Sequence, residues 1–110
     1  MAAIALNKFR TIRVGITTNN VGIYTCPIGV SSIVILSQVA NVSEGAAKST
    51  YTVTATHSRN SEVQTDYVFA NAVYVPSNDS VNLVSDGRMA LETNDVIKIK
   101  ANQNNVLNLI

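Results

Sequence analysis

YTCPIGVSSIVILSQVANV, residues 24–42, joins the sharpest turn signal in the chain to its most apolar run. Cys26-Pro27-Ile28-Gly29 fits a type I turn, because proline presets the backbone at the second position and glycine suits the fourth. Ile33, Val34, Ile35 and Leu36 form a continuous run, mostly β-branched, too short for a helix and without caps, so a central strand covered on both faces is expected there. One cover is the opposite sheet of the same domain. With no helix foreseen for the other face, the second cover is a neighbouring subunit, which points towards an assembly protein and away from a free enzyme.

Outward from this stretch the pattern stays that of strands. Ile12, Val14 and Ile16 alternate with Thr11, Arg13, Gly15 and Thr17 as a strand wet on one side, and Asn19-Asn20 turns it into residues 21–25 as a hairpin. Residues 43–48, SEGAAK, read as a loop with at most one helical turn. Tyr51, Val53 and Ala55 then face inward against an exposed face of Thr50, Thr52, Thr54 and Thr56. Residues 63–75 read as one long strand or two joined by a bulge, with Asn71 where pairing breaks. Pro76-Ser77-Asn78-Asp79 is a turn, and Asp86-Gly87 is expected to fold residues 88–92 back beside residues 81–85 as a hairpin. Ile97 and Ile99 point inward with Lys98 and Lys100 outward, and the chain ends in a strand at residues 106–110.

Eight or nine strands with short, turn-rich connections make an all-β chain of two packed antiparallel sheets. The candidates are a jelly roll, which is favoured, and an immunoglobulin-like sandwich, for which no Cys-Trp-Cys framework exists. The expected division is an N-terminal arm at residues 1–8 and a single β-sandwich domain at residues 9–110. A hydrophobic fraction of 46% with 14% charged residues supports a folded globule able to bury a core without disulfide or metal. A net charge of +1 supplies no footprint for nucleic acid or an anionic membrane. The apolar stretch near the N-terminus is too short for a signal peptide, and no segment reaches the length of a membrane span, so a soluble protein made in a cytoplasm is expected.

Chemistry-bearing residues are few. The single cysteine, Cys26, reads as a small packing residue. The single histidine, His57, continues the inward register of its strand and is expected to be satisfied by a loop carbonyl; a Cys26/His57 dyad has nothing in its favour beyond the presence of both residues. Asp79, Asp86 and Asp95 fall where turns and strand starts explain them, and Glu92, Asn94 and Asp95 do not match a calcium loop. No phosphate loop or nucleophile elbow occurs. The expectation is therefore a non-enzymatic protein with no cofactor and no metal. A carbohydrate-binding module using Tyr67, Tyr74 and the Asn-rich loops is a competing reading, weakened by the absence of tryptophan.

The succession Ile23-Tyr24-Thr25-Cys26-Pro27-Ile28-Gly29, an apolar strand closing in Ala40-Asn41-Val42, Val75-Pro76-Ser77-Asn78-Asp79-Ser80, and residues 89–98, MALETNDVIK, resembles small virion structural proteins of tailed bacteriophages, most closely those of phages that infect cyanobacteria. The resemblance runs from about Phe9 to Ile110 and rests on the order of turn-and-strand signatures. It implies a virion component, assembled in a host cytoplasm, that works by packing against other virion proteins and against copies of itself. A tail or baseplate position is slightly favoured over a capsid decoration protein, and the resemblance carries no residue-by-residue roles. The residues themselves suggest three interface elements: the arm Ala2, Ala3, Ile4, Ala5 and Leu6; the second face of Ile33, Val34, Ile35 and Leu36; and the C-terminal strand with Val106, Leu107, Leu109 and Ile110.

Overall fold

The computed structural model describes residues 11–34, 37–59, 65–84 and 89–110. Ten strands run through them: β1 (Val14–Gly15), β2 (Val21–Thr25), β3 (Ser32–Val34), β4 (Gln38–Asn41), β5 (Tyr51–Ser58), β6 (Asp66–Val75), β7 (Ser80–Asn82), β8 (Met89–Leu91), β9 (Val96–Ala101) and β10 (Leu107–Leu109). One 3-10 turn, Gly45–Ala47, interrupts them within the segment expected from the sequence to be a loop with at most one helical turn.

The pairing is nested. β1 pairs with β10, β2 with β9, β3 with β8, β4 with β7 and β5 with β6, all antiparallel, as if the chain were one long hairpin folded at the β5–β6 connection. Two further pairings, β10 with β4 and β9 with β5, roll that hairpin into two sheets of order β1-β10-β4-β7 and β2-β9-β5-β6. A four-stranded sheet facing another, generated by rolling a nested hairpin, is the jelly roll favoured from the sequence.

Between the sheets lies the main core, where Ile16, Val39, Leu107 and Leu109 from one side meet Val53, Val75 and Ile99 from the other. A smaller cluster of Cys26, Leu91 and Ile97, with Tyr24, Val34, Phe69 and Met89 against it, seats the β3–β8 ribbon. Asn41 ties the sheets together by hydrogen bonds. Its Nδ2 donates to the Val75 carbonyl of β6 at 2.9 Å and to the Ser49 carbonyl at 2.7 Å, while its Oδ1 accepts from the Ser43 amide at 3.0 Å and hydroxyl at 2.6 Å. All four of its side-chain bonds are made in a buried position, where a missing partner would be costly.

Four local expectations change. The turn after Cys26 is shifted by one residue: the Val30 amide donates to the Pro27 carbonyl, and Gly29 takes φ 81° at the third position, the pattern of a type II turn. Residues 12–17 and 21–25 are not a hairpin, because β1 and β2 belong to different sheets and Asn19-Asn20 turns a corner between them. Nor do residues 81–85 pair with residues 88–92. β7 pairs with β4 and β8 with β3, and Asp86-Gly87 lies outside the described residues. The Ile33–Leu36 run is not a central strand either: its described part, Ile33 and Val34, belongs to the two-stranded ribbon, and Ile35 and Leu36 lie outside the described residues. A run of apolar residues says that a segment wants cover, not which strands supply it.

β6 does carry the expected bulge. Between the rungs Val53↔Val73 and Ala55↔Ala70, Asn71 and Ala72 stand opposite Thr54 alone. Ala72 takes φ 48°, and its amide, which the ladder no longer uses, donates to the Thr54 hydroxyl oxygen at 3.0 Å.

Candidate functional site

The densest polar cluster forms where β5 leaves its sheet. Ser58 is the last residue of β5 to pair with β9, opposite Val96, so Arg59 and Asp95 stand beside one another one residue further on. The Glu92–Asp95 turn, closed by the Asp95 amide on the Glu92 carbonyl at 3.0 Å with Asn94 at φ 68°, presents the carboxylate inward. Asp95 is 1% exposed. Its Oδ1 accepts from Arg59 Nε at 2.9 Å, and its Oδ2 accepts from Arg59 Nη2 at 2.7 Å, His57 Nε2 at 3.0 Å and the Glu92 amide at 2.8 Å. Glu92, itself exposed, adds a contact to Arg59 Nη2 at 3.0 Å.

Buried without partners, a carboxylate would be driven towards its neutral form. Here the Arg59 hydrogen bonds, followed by those from the Glu92 amide and His57, outweigh desolvation and hold the Asp95 carboxyl well below the usual carboxylate range. Since a carboxylate only accepts, His57 Nε2 must carry the hydrogen that faces it. The imidazole therefore finds a carboxylate where a loop carbonyl is expected from the sequence. The mainchain of Cys26 is laced to the same turn, its amide donating to the Asp95 carbonyl and its carbonyl accepting from the Asn94 amide, each at 2.8 Å.

This arrangement joins three segments, and both Asp95 oxygens are engaged from within the protein. Cys26 does not enter it through its side chain. The thiol is buried and lies 3.4 Å from the Val30 carbonyl and the Ser32 hydroxyl and 3.7 Å from the Leu91 carbonyl, so it is not a partner of His57. Among the described residues no group of three or more His, Cys, Asp or Glu side chains is placed to hold a metal ion, and no helix is long and apolar enough to cross a membrane.

The expected interface residues divide. Ala2, Ala3, Ile4, Ala5 and Leu6 lie outside the described residues, as do Ile35 and Leu36. Val106, Leu107 and Leu109 are buried in the domain's own core, which removes them as surface for a partner and leaves Ile110, 58% exposed, as the accessible member of the C-terminal element. Val34 packs against the smaller core cluster. Ile33 is 60% exposed on the β3–β8 ribbon, and Ile28 and Val30, in the turn leading to that ribbon, are exposed as well. Ile28 and Val30 are not among the expected interface residues, because the turn expected at Cys26–Gly29 puts Pro27 at its second position; with the turn shifted by one residue, Ile28 takes that position and faces solvent.

A second polar feature lies on the outer face of the β2-β9-β5-β6 sheet. Thr18, Thr52, Thr54, Lys100, Ala101 and Asn102 line a shallow, open groove of about 250 Å³. Tyr74, opposite Thr52 across the β5–β6 ladder and 72% exposed, flanks it. Lys98, one outward position along β9, is engaged with Asp66 at 3.6 Å.

Comparison with protein families, with curated proteins and with solved structures finds no match to this chain.

Proposed function

We propose that this chain is a non-enzymatic structural subunit of a tailed-phage virion, more tail- or baseplate-associated than capsid-associated, which stabilises the particle by packing against other virion proteins and copies of itself. The observation that carries the reading is the exposed aliphatic corner at the β3–β8 ribbon, where Ile28 is 82% and Ile33 60% exposed. A short two-stranded ribbon standing apart from both sheets and presenting branched aliphatics to water is the surface of a subunit awaiting a neighbour. Burying such surface contributes roughly 25 cal/mol per Å² before ordering costs, and repetition over many copies multiplies a modest contact. The His57–Arg59–Asp95 cluster fits the non-enzymatic part in one respect: both Asp95 oxygens are held in internal bonds.

The test is the oligomeric mass of the purified chain together with its binding to emptied phage heads and to isolated tails. Binding to tails, with an oligomer matching a tail symmetry, is the expected result. Binding to heads alone would make the protein a capsid decoration subunit. A monomer that binds neither would overturn the particle role.

A further inference from the structure

The groove on the outer face of the β2-β9-β5-β6 sheet is lined by polar side chains whose one charge is positive. Two of its acceptors are already occupied: Asn102 Oδ1 takes the Thr52 amide at 3.0 Å, and Thr54 Oγ1 takes the Ala72 amide at 3.0 Å. Each of these oxygens keeps one lone pair, and the side chains also offer donors, the Asn102 amide hydrogens and the Thr54 hydroxyl hydrogen. The Thr18 and Thr52 hydroxyls, also in the lining, make no side-chain hydrogen bond among the described residues. Lys100 adds an ammonium group. Unlike Lys98 it has no carboxylate partner among the described residues, and it lies opposite Thr54 across the β5–β9 ladder.

An open, cationic groove with hydroxyl and amide donors unpaired among the described residues is complementary to an anion that also carries hydroxyl groups. Its shape narrows the choice. The floor spans β9 and β5 with Tyr74 beyond on β6, and two strand spacings of about 4.8 Å extend the site to roughly 10 Å, too long for a single inorganic anion. The exposed Tyr74 ring beside Thr52 supplies an apolar wall of the kind that the faces of sugar rings cover, with its hydroxyl left wet.

We propose that this groove binds a short segment of an anionic saccharide, its carboxylate or sulfate against Lys100, its hydroxyl oxygens accepting from Thr18, Thr52, Thr54 and Asn102, and one ring face against Tyr74. The site lies on a different part of the molecule from the Ile28–Ile33 corner, so it stands or falls independently of the particle role.

Calorimetric titration of the full chain with a short oligogalacturonate, a sulfated oligosaccharide, a neutral galactan fragment and sodium sulfate tests the proposal. Saturable binding of one of the acidic saccharides is expected, weakening as salt rises, with little or no binding of the neutral fragment. Lys100→Gln should lower the affinity roughly tenfold or more, the scale of a hydrogen bond to a charged group, and Tyr74→Ala several-fold. Both residues are on the surface, so unchanged thermal unfolding of the variants confirms that they remain folded. The proposal is overturned if neither acidic saccharide binds, if the neutral fragment binds equally well, or if Lys100→Gln leaves affinity unchanged. It is overturned too if sulfate alone binds as tightly as the acidic saccharide, which would reduce the groove to a simple anion site.

Discussion

Arg59 grips both oxygens of Asp95, through Nε at 2.9 Å and Nη2 at 2.7 Å, at the point where the β5–β9 ladder ends. The carboxylate is almost completely buried and the guanidinium partly exposed, so the pair closes the open end of a sheet and also anchors the turn before β9. Removing Arg59 leaves a buried carboxylate with His57 and one amide. Arg59→Ala should cost about 3 kcal/mol, near the lower end for breaking a buried pair because the guanidinium is partly exposed. Asp95→Ala should cost at least as much, and the double variant should fall short of the sum. Urea unfolding of the three variants reads these values; additive effects would mean the two side chains act separately.

The same carboxylate gives stability a dependence on pH. Its folded pKa is depressed, chiefly by the Arg59 hydrogen bonds, so the unfolded chain takes up a proton first as pH falls. The contribution of Asp95 is therefore complete above the ordinary carboxylate range and is lost progressively as pH drops through about 4 and below. Asp66 is lowered as well, by the Ser58 hydroxyl first and by Lys98, and acts in the same direction. Thermal unfolding between neutral and strongly acidic pH should show this decline, and Asp95→Asn should flatten it.

Asn41 is expected to be the most sensitive uncharged polar position. Replacing it with alanine breaks its bond to the Val75 carbonyl and leaves the Ser43 groups short of an acceptor. A loss of about 2–4 kcal/mol follows from several buried groups left unpaired at roughly 1–3 kcal/mol each. Asn108→Ala, on an exposed position of β10, should change stability by no more than about 0.5 kcal/mol in the same measurement.

The Cys26 thiol should resist alkylation in the folded protein and react once denaturant is added, because it is fully buried between the β3–β8 ribbon and β9. Rapid modification under native conditions would show that this part of the domain opens readily.

At the aliphatic corner, Ile28→Asp and Ile33→Asp should leave thermal unfolding nearly unchanged, since both side chains are exposed, yet weaken self-association or binding to tails by at least tenfold. Sedimentation of the variants beside the unaltered chain checks this. Equal association would place the interface elsewhere.

Much of the local structure was legible from alternation alone. Val53 and Ala55 inward, Ile97 and Ile99 inward with Lys98 and Lys100 outward, and the interruption near Asn71 all follow from the two-residue period of a strand and the turn chemistry around it. The all-β class follows from the same signals repeated along the whole chain. Asp95 was legible as a turn residue but not as the centre of a cluster. Its partners are 36 and 38 positions away, and no local pattern encodes a contact over that separation.

The sequence by itself determined much of the inward and outward alternation and where most turns fall, although Thr56, expected on the exposed face of its strand, is buried at 4% exposure. Only the tertiary structure decided which strands pair, because each turn fixes a change of direction without fixing the sheet that receives the next strand. Thus Asn19-Asn20 became a corner between sheets, and the apolar run at Ile33 became half of an exposed ribbon. The C-terminal strand changed role for the same reason. Leu107 and Leu109 face a core that exists only once β10 has inserted between β1 and β4, and burial there takes them out of reach of any partner.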